Sequence, residues 1–439
     1  MKYRDCQLMK TNEKDTHQRI VPALRFPEFQ NSGEWDMLHL NQISSRITTK
    51  VGKSQLTPVS ISAGVGFIAQ TEKFGRDISG DQYHNYIELN KGEFAYNKGN
   101  SKKYPQGCVY KLEEFDKVAA PNAFICFRFN DNVIPDFFKG YFDNNYHGRQ
   151  LQNVITSGAR SNGLLNISAD NFFNIILPTP KDKKEQQKIA DCLSSIDSLI
   201  KATEDKIDLL KAHKKGLMQQ LFPAEGETTP KLRFPEFQNA GEWESHPITK
   251  FFTRLTSRNT DNNTNILTIS AQHGLVSQRE YFNKVVAAEN ISNYFLLHKG
   301  DFAYNKSSSQ DYPQGVIKCL KLYEIGIVSP LYICMKIKDT NEISFFEQYF
   351  ESGMINPEVK KIAQEGARNH GLLNVSIKDF FNTVSLIVPR SIEERKKIAD
   401  CLSSIDMLIN VTEDKIALLK AHKKGLMQQL FPNTNNCEV

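Results

Sequence analysis

Apolar residues recur at alternating spacings of four and three at Ile189, Leu193, Ile196, Ile200, Ile207, Leu210, Leu217 and Leu221. This is a heptad seam, and it predicts a long helix. Thr203 and Lys214 fill the two remaining seam positions. The seam returns at Ile398, Leu402, Ile405, Ile409, Thr412, Ile416, Leu419, Lys423, Leu426 and Leu430. At 1.5 Å per residue, about forty helical residues span roughly 60 Å. Pro180 and Pro389 stand before the two segments, and Pro223 and Pro432 after them, as suits a residue that cannot continue a helix interior. A lone helix of this kind would leave an apolar stripe in water. The two are therefore expected to pair, and a two-fold axis perpendicular to them makes the pair antiparallel. Thr203 and Thr412 would fall near that dyad. There they either fix register at some cost in stability or are made harmless by the crossing angle or by solvent. Lys214 and Lys423, followed by Gly216 and Gly425, predict that the tight seam ends before the helix does.

Elsewhere the pattern changes to short β-branched and aromatic runs, such as NAFICFRF (122–129) and NTVSLIVP (382–389), which read as strands. DFFKGYFDN and SFFEQYFES carry aromatics three and four apart and read as short helices. The whole pattern is written twice. Residues 188–223 and 397–432 differ at only four of thirty-six positions: Ser198/Met407, Lys201/Asn410, Ala202/Val411 and Asp208/Ala417. PALRFPEFQNSGEW (22–35) and PKLRFPEFQNAGEW (230–243) match at twelve of fourteen. Such a period means tandem domains. The expected division is a flexible tail (1–21), a first domain (22–180), a helix (181–223), a linker (224–231), a second domain (232–389), a second helix (390–432) and a tail (433–439). The fold class is α/β (α+β): two tandem domains, each followed by a long helix, the helices forming an antiparallel coiled coil with pseudo-two-fold symmetry.

Forty per cent hydrophobic and 24% charged residues describe an ordinary globular chain. There is no transmembrane run, and the polar N-terminus lacks the apolar stretch of a secretory signal, so a cytoplasmic protein is expected. The eight cysteines contain no CxxC pair, which points to reduced thiols and no metal site. The net charge of +5 permits a nucleic-acid partner without demanding one.

Within the divergent domains two islands survive duplication: FAYNKGNSKKYPQG (94–107) against FAYNKSSSQDYPQG (302–315), and GARSNGLLNIS (158–168) against GARNHGLLNVS (366–376). Their composition suits exposed loops that bond phosphates and base edges. Tyr96, Asn97, Lys98, Tyr104, Gly107, Arg160 and Gly163 persist. Lys102-Lys103 becomes Gln310-Asp311, and Ser161-Asn162 becomes Asn369-His370. That is the pattern of one scaffold reading two sequences. The candidate contacts are Asn97, Lys98, Lys102, Lys103, Tyr104, Arg160 and Asn162 in the first copy. In the second they are Asn305, Lys306, Gln310, Tyr312, Arg368, Asn369 and His370. Lys and Arg suit phosphates, while Asn, Gln and His suit base discrimination. For Lys98, Lys102, Arg160, Lys306 and Arg368 a plain solvated role stands beside the phosphate role, and partner docking stays open for Arg160 and Arg368.

No catalytic motif is legible. Gly52-Lys53-Ser54 lacks the first glycine of a P-loop, because position 47 is Ile47. Gly64-Val65-Gly66 becomes Gln272-His273-Gly274 in the copy, so it reads as a turn. Asn356-Pro357-Glu358 breaks the Asn/Asp-Pro-Pro-aromatic pattern of an adenine methyltransferase.

Taken in order and duplicated, LRFPEF…GEW, FAYNK…YPQG, GAR…GLLN and KIADCLSSID…LLKAHKKGLMQQLFP resemble the specificity subunit of type I restriction–modification enzymes. The resemblance covers nearly the whole chain from about residue 22. It implies two target-recognition domains reading the halves of a bipartite, asymmetric site in double-stranded DNA. It implies a coiled-coil ruler that docks two methyltransferase subunits, which restriction subunits can join. It implies no catalysis and no cofactor in this chain, since S-adenosylmethionine, ATP and Mg2+ would serve the partners. The other reading is a coiled-coil scaffold, or a bipartite DNA-binding adaptor outside a restriction system.

Overall fold

The computed structural model describes residues 20–99, 104–155, 164–260, 262–271, 273–282, 291–307, 309, 312–368 and 372–432. The chain divides into two units, residues 1–202 with 415–439, and residues 203–414.

The first unit is built on an antiparallel sheet ordered Ser44–Arg46, Ile125–Phe129, Phe94–Asn97 and Cys108–Lys111. Phe94 and Phe127 turn to one face, where Phe137, Phe138, Tyr141 and Phe142 of the helix Pro135–Asp143 cover them. The Phe129 and Phe138 rings stack at 4.4 Å. Ala95, Cys108 and Cys126 turn to the other face and a separate core, as the two-residue period of a strand requires. That core is shared with a second sheet, ordered Gly66–Ala69, Thr57–Ser62, Lys117–Ala120 and Ile87–Asn90. The second unit repeats the first sheet as Phe252–Arg254, Ile333–Ile337, Phe302–Asn305 and Val316–Cys319, under the helix Ile343–Glu351. Its second layer contains the antiparallel pairs Leu267–Ser270 with Gly274–Ser277 and Phe295–His298 with Ile325–Val328, joined by a parallel bridge between Ile266 and Ile327.

The long helices are Lys183–Leu221 and Ile392–Leu430, 39 residues each. Ile189, Leu193, Ile200, Ile207, Ile398, Leu402 and Ile409 are buried, and Ile196, Leu210, Ile405, Ile416 and Leu419 are half-buried. In the first unit Ile189 and Leu193 share a core with Met427, Leu430 and Phe431. In the second, Met218, Leu221 and Phe222 share one with Ile398, Ala399 and Leu402. Lys423 meets Asp197 at 2.7 Å in the first unit, and Lys214 meets Asp406 at 2.7 Å in the second. Lys423 is the copy of Lys214, and Asp197 the copy of Asp406. The same ion pair is thus repeated in both units, and within each unit the helical segments run antiparallel.

Two expectations about the seam are corrected. The seam does not stop at the lysines: each is half-buried and ion-paired, and Met218, Leu221, Met427 and Leu430 beyond them are buried. Nor does solvent relieve the threonines, since Thr203 and Thr412 are both buried. The Thr412 hydroxyl donates to the Leu408 carbonyl at 2.6 Å, so it is satisfied within its own helix.

The LRFPEF…GEW segments act as clamps. Arg25 donates to both carboxylate oxygens of buried Glu185 at 2.7 Å and to the Gly33 carbonyl at 2.7 Å. Arg233 makes the same bonds to Glu394 and Gly241. The Leu24 N–H donates to the Gln429 carbonyl and the Leu232 N–H to the Gln220 carbonyl, both at 2.9 Å. These bonds satisfy carbonyls that the last helical turn leaves open.

Candidate nucleic-acid interface

Each first island is the turn of a hairpin in the main sheet, between Phe94–Asn97 and Cys108–Lys111 or between Phe302–Asn305 and Val316–Cys319. Its frame is held from inside. The Tyr96 hydroxyl donates to the Gln106 carbonyl at 2.7 Å, and the Tyr304 hydroxyl to the Gln314 carbonyl at 2.8 Å. Both rings are buried, and Tyr96 stacks on Phe172 at 4.5 Å. Burial pushes both phenols well above their ordinary pKa, so they are neutral donors. Gly107 has φ +79°, and a Cβ there would lie 2.5 Å from the Asn97 carbonyl oxygen and 2.7 Å from the Tyr96 ring. Gly315 is equally confined. The glycine in YPQG is therefore demanded by both its backbone conformation and its lack of space.

The two islands, about 60 residues apart in sequence, meet in space. The Leu165 N–H donates to the Lys98 carbonyl at 2.9 Å, and Gly99 bridges Leu164. The Lys98 ammonium donates to the Ile167 carbonyl at 3.2 Å. In the second unit the Leu373 N–H donates to the Lys306 carbonyl at 2.9 Å, and the Lys306 ammonium to the Val375 carbonyl at 3.4 Å. These bonds give both lysines a structural duty, tying one island to the other. Asn97 Oδ1 accepts the Gly99 N–H at 2.9 Å, and Asn305 Oδ1 the Ser307 N–H at 3.0 Å; each side chain thereby closes a local turn. Tyr104 is half-buried against the second core of its unit, while Tyr312 is exposed. Arg368 ends the strand Gln364–Arg368 and pairs with Leu372. Lys102, Lys103, Arg160, Asn162, Gln310, Asn369 and His370 lie outside the described residues.

One polar group under the first hairpin has no counterpart in the copy. His147 is fully buried, edge-on to Tyr96 and Phe142 at 6.3 and 5.3 Å, beside the backbone of Gly107. Burial pushes its pKa down to about 3. The corresponding residue is Ile355, also buried. The shared left-handed turn at Asn145 and Gly353 fixes that correspondence.

Among the described residues no group of three or more His, Cys, Asp or Glu could hold a metal, and no helix is long and apolar enough to cross a membrane. A groove of about 430 Å³ in the second unit is lined by Phe252, Arg254, Lys338, Ile377, Lys378 and Phe381 together with Thr249, Thr253 and Asn382. It offers no carboxylate, imidazole or thiol for acid–base or nucleophilic chemistry.

Residues 79–212 match the family described as type I restriction modification DNA specificity domain. The fold is similar to that of the S subunit of a type I restriction–modification system from M. genitalium, with TM-score 0.52 and 14% identity, covering 94% of this chain and all of that one. The HsdS subunit from Thermoanaerobacter tengcongensis matches with TM-score 0.40 and 13% identity over 90% of this chain and 96% of that one. A chain from a structural study of complex assembly and conformational transition in the type I system matches with TM-score 0.49 and 12% identity, over 91% and 98%. No curated protein sequence matches the chain.

Proposed function

We propose that the chain is the DNA-reading subunit of a type I restriction–modification complex, a reading supported by the match of residues 79–212 to the specificity domain of such systems. Each unit reads one half of a bipartite, asymmetric site in double-stranded DNA, and the paired helices set the distance between the halves. The near-identical helices offer equivalent docking surfaces to two methyltransferase subunits, and restriction subunits join through them. The chain itself is non-catalytic and works in the cytoplasm, where its DNA is. S-adenosylmethionine, ATP and Mg2+ are used by the partners.

One observation carries this reading: two copies of one tethered island scaffold carry different residues at matching positions in the sequence. Asn97, Lys98, Lys102, Lys103, Tyr104, Arg160 and Asn162 would meet the first half-site. Asn305, Lys306, Gln310, Tyr312, Arg368, Asn369 and His370 would meet the second. Cations fix the phosphates, and the amides and imidazole discriminate base edges. Sequencing of DNA modification in the source cell is expected to find paired adenine marks in a split motif that disappears when this gene is deleted. A motif that survives the deletion overturns the reading.

A further inference from the structure

The turn spelled Gly64-Val65-Gly66 has no part in the island scaffold, yet the fold brings it there. It joins the strands Thr57–Ser62 and Gly66–Ala69, closing on the Ser62–Gly66 pair. The Gly64 N–H donates to the Tyr110 hydroxyl at 2.7 Å, and a Cβ on Gly66 would lie 3.6 Å from the Tyr110 ring. Tyr110 stands on the return strand of the first island hairpin, Cys108–Lys111, and its hydroxyl also interacts with that of Tyr104, a residue of the island. The turn is thus pinned to the side of the candidate interface. On its tip Val65 is 72% exposed.

In the second unit the strands Leu267–Ser270 and Gly274–Ser277 close on the Ser270–Gly274 pair, and Gly274–Ser277 lies against the return strand Val316–Cys319. The residue at the position of Val65 is His273, which is also exposed. Its N–H donates to the Ser270 hydroxyl at 3.2 Å. A single exposed valine is ordinary on any surface. An apolar group in one copy and an imidazole in the other, on the corresponding turn beside the corresponding hairpin, is a change of chemistry at a matching position, and the pin changes with it, since Lys318 stands where the first unit has Tyr110.

We propose that this turn is a second base-reading element in each unit, with Val65 contacting a thymine 5-methyl group and His273 hydrogen-bonding a base edge. The inference rests on the proposed DNA-reading function and adds a specificity-determining residue to each half-site. In the major groove the thymine methyl is the apolar landmark, while purine N7 and O6 accept hydrogen bonds. Val65 therefore assigns an A·T pair to one position of the first half-site.

The test uses the full chain assembled with its methyltransferase partner and a randomised duplex DNA library. Val65→Ser and His273→Val are compared with the unaltered chain. Each variant is expected to change base preference about tenfold at one or two positions of its own half-site and to leave the other half unchanged. Replacing the assigned thymine by uracil, which lacks the methyl, should weaken binding of the unaltered chain but not of Val65→Ser. If the unaltered chain selects a split sequence and both variants select the same words, with uracil tolerated, this inference is wrong and the proposed function stands. If the unaltered chain selects no sequence, both fall.

Discussion

Glu185 and Glu394 are buried carboxylates, each gripped at both oxygens by one arginine; the side chains of the first pair are 9% and 1% exposed. Removing the arginine strands the carboxylate, so Arg25→Ala is expected to cost about 3–5 kcal/mol of first-unit stability. Denaturant unfolding measures it, and a loss below about 1 kcal/mol would make the clamp dispensable. His147 gives a pH signature. Its pKa in the folded unit, about 3, lies below the ordinary 6.5, so on acidification the unfolded chain takes up the proton first. The stability tied to neutral His147 is whole above about pH 6.5 and is lost as pH falls towards about 3, at up to roughly 1.4 kcal/mol per pH unit. His147→Ile, the residue of the copy, should flatten that fall in acid-unfolding curves. If the variant and the unaltered chain lose stability in parallel, His147 is not the group responsible. The islands themselves were legible in the sequence because duplication preserved them. The duties of Lys98, of Lys306 and of the arginine clamps were not, because each closes a contact between residues 69 to 161 positions apart.

At the scale of elements, the heptads made both helices and their antiparallel sense readable, but the seam lysines were misread. A charged residue at a core position signals an end only when no opposite charge faces it. Here Asp406 faces Lys214, and Gln348 donates to Asp406 at 2.8 Å. The first unit solves the same place differently. Gly140 stands where the copy has Gln348, and a Cβ there would lie 2.7 Å from Leu193. Asp143 joins Asp197 around Lys423, and burial raises the Asp143 pKa against the pull of that ammonium. A double-mutant cycle on Lys214→Met and Asp406→Asn is expected to give a coupling of about 0.5–1.5 kcal/mol, modest because the aspartate is partly exposed. A coupling of zero would reduce the pair to a surface coincidence.

For the whole molecule, duplication was the strongest signal in the chain, and the two sheet-rich units with long helices follow it. The second layers of the units share one arrangement, since the parallel Ile266–Ile327 bridge of the second unit repeats the Pro58–Ala119 pairing of the first, and the divergent stretches carried no pattern from which that could be read. If the halves of the site belong to separate units, exchanging residues 36–180 for another recognition domain should change one half of the modified motif and leave the other intact. DNA modification sequencing reads both halves at once, and a change in both would deny their independence.

The second unit is a single uninterrupted stretch of chain, whereas the first needs residues 415–439 to complete it. Leu430 and Phe431, which fill the core around Trp35 and Phe137, follow the whole of the second unit in the chain, so a ribosome makes them after it. The half of the protein that is synthesised first must therefore wait, its hydrophobic floor open, until the second unit has been made. The half made later can close as soon as its own stretch has emerged. Birth order and folding order run in opposite directions along this polypeptide.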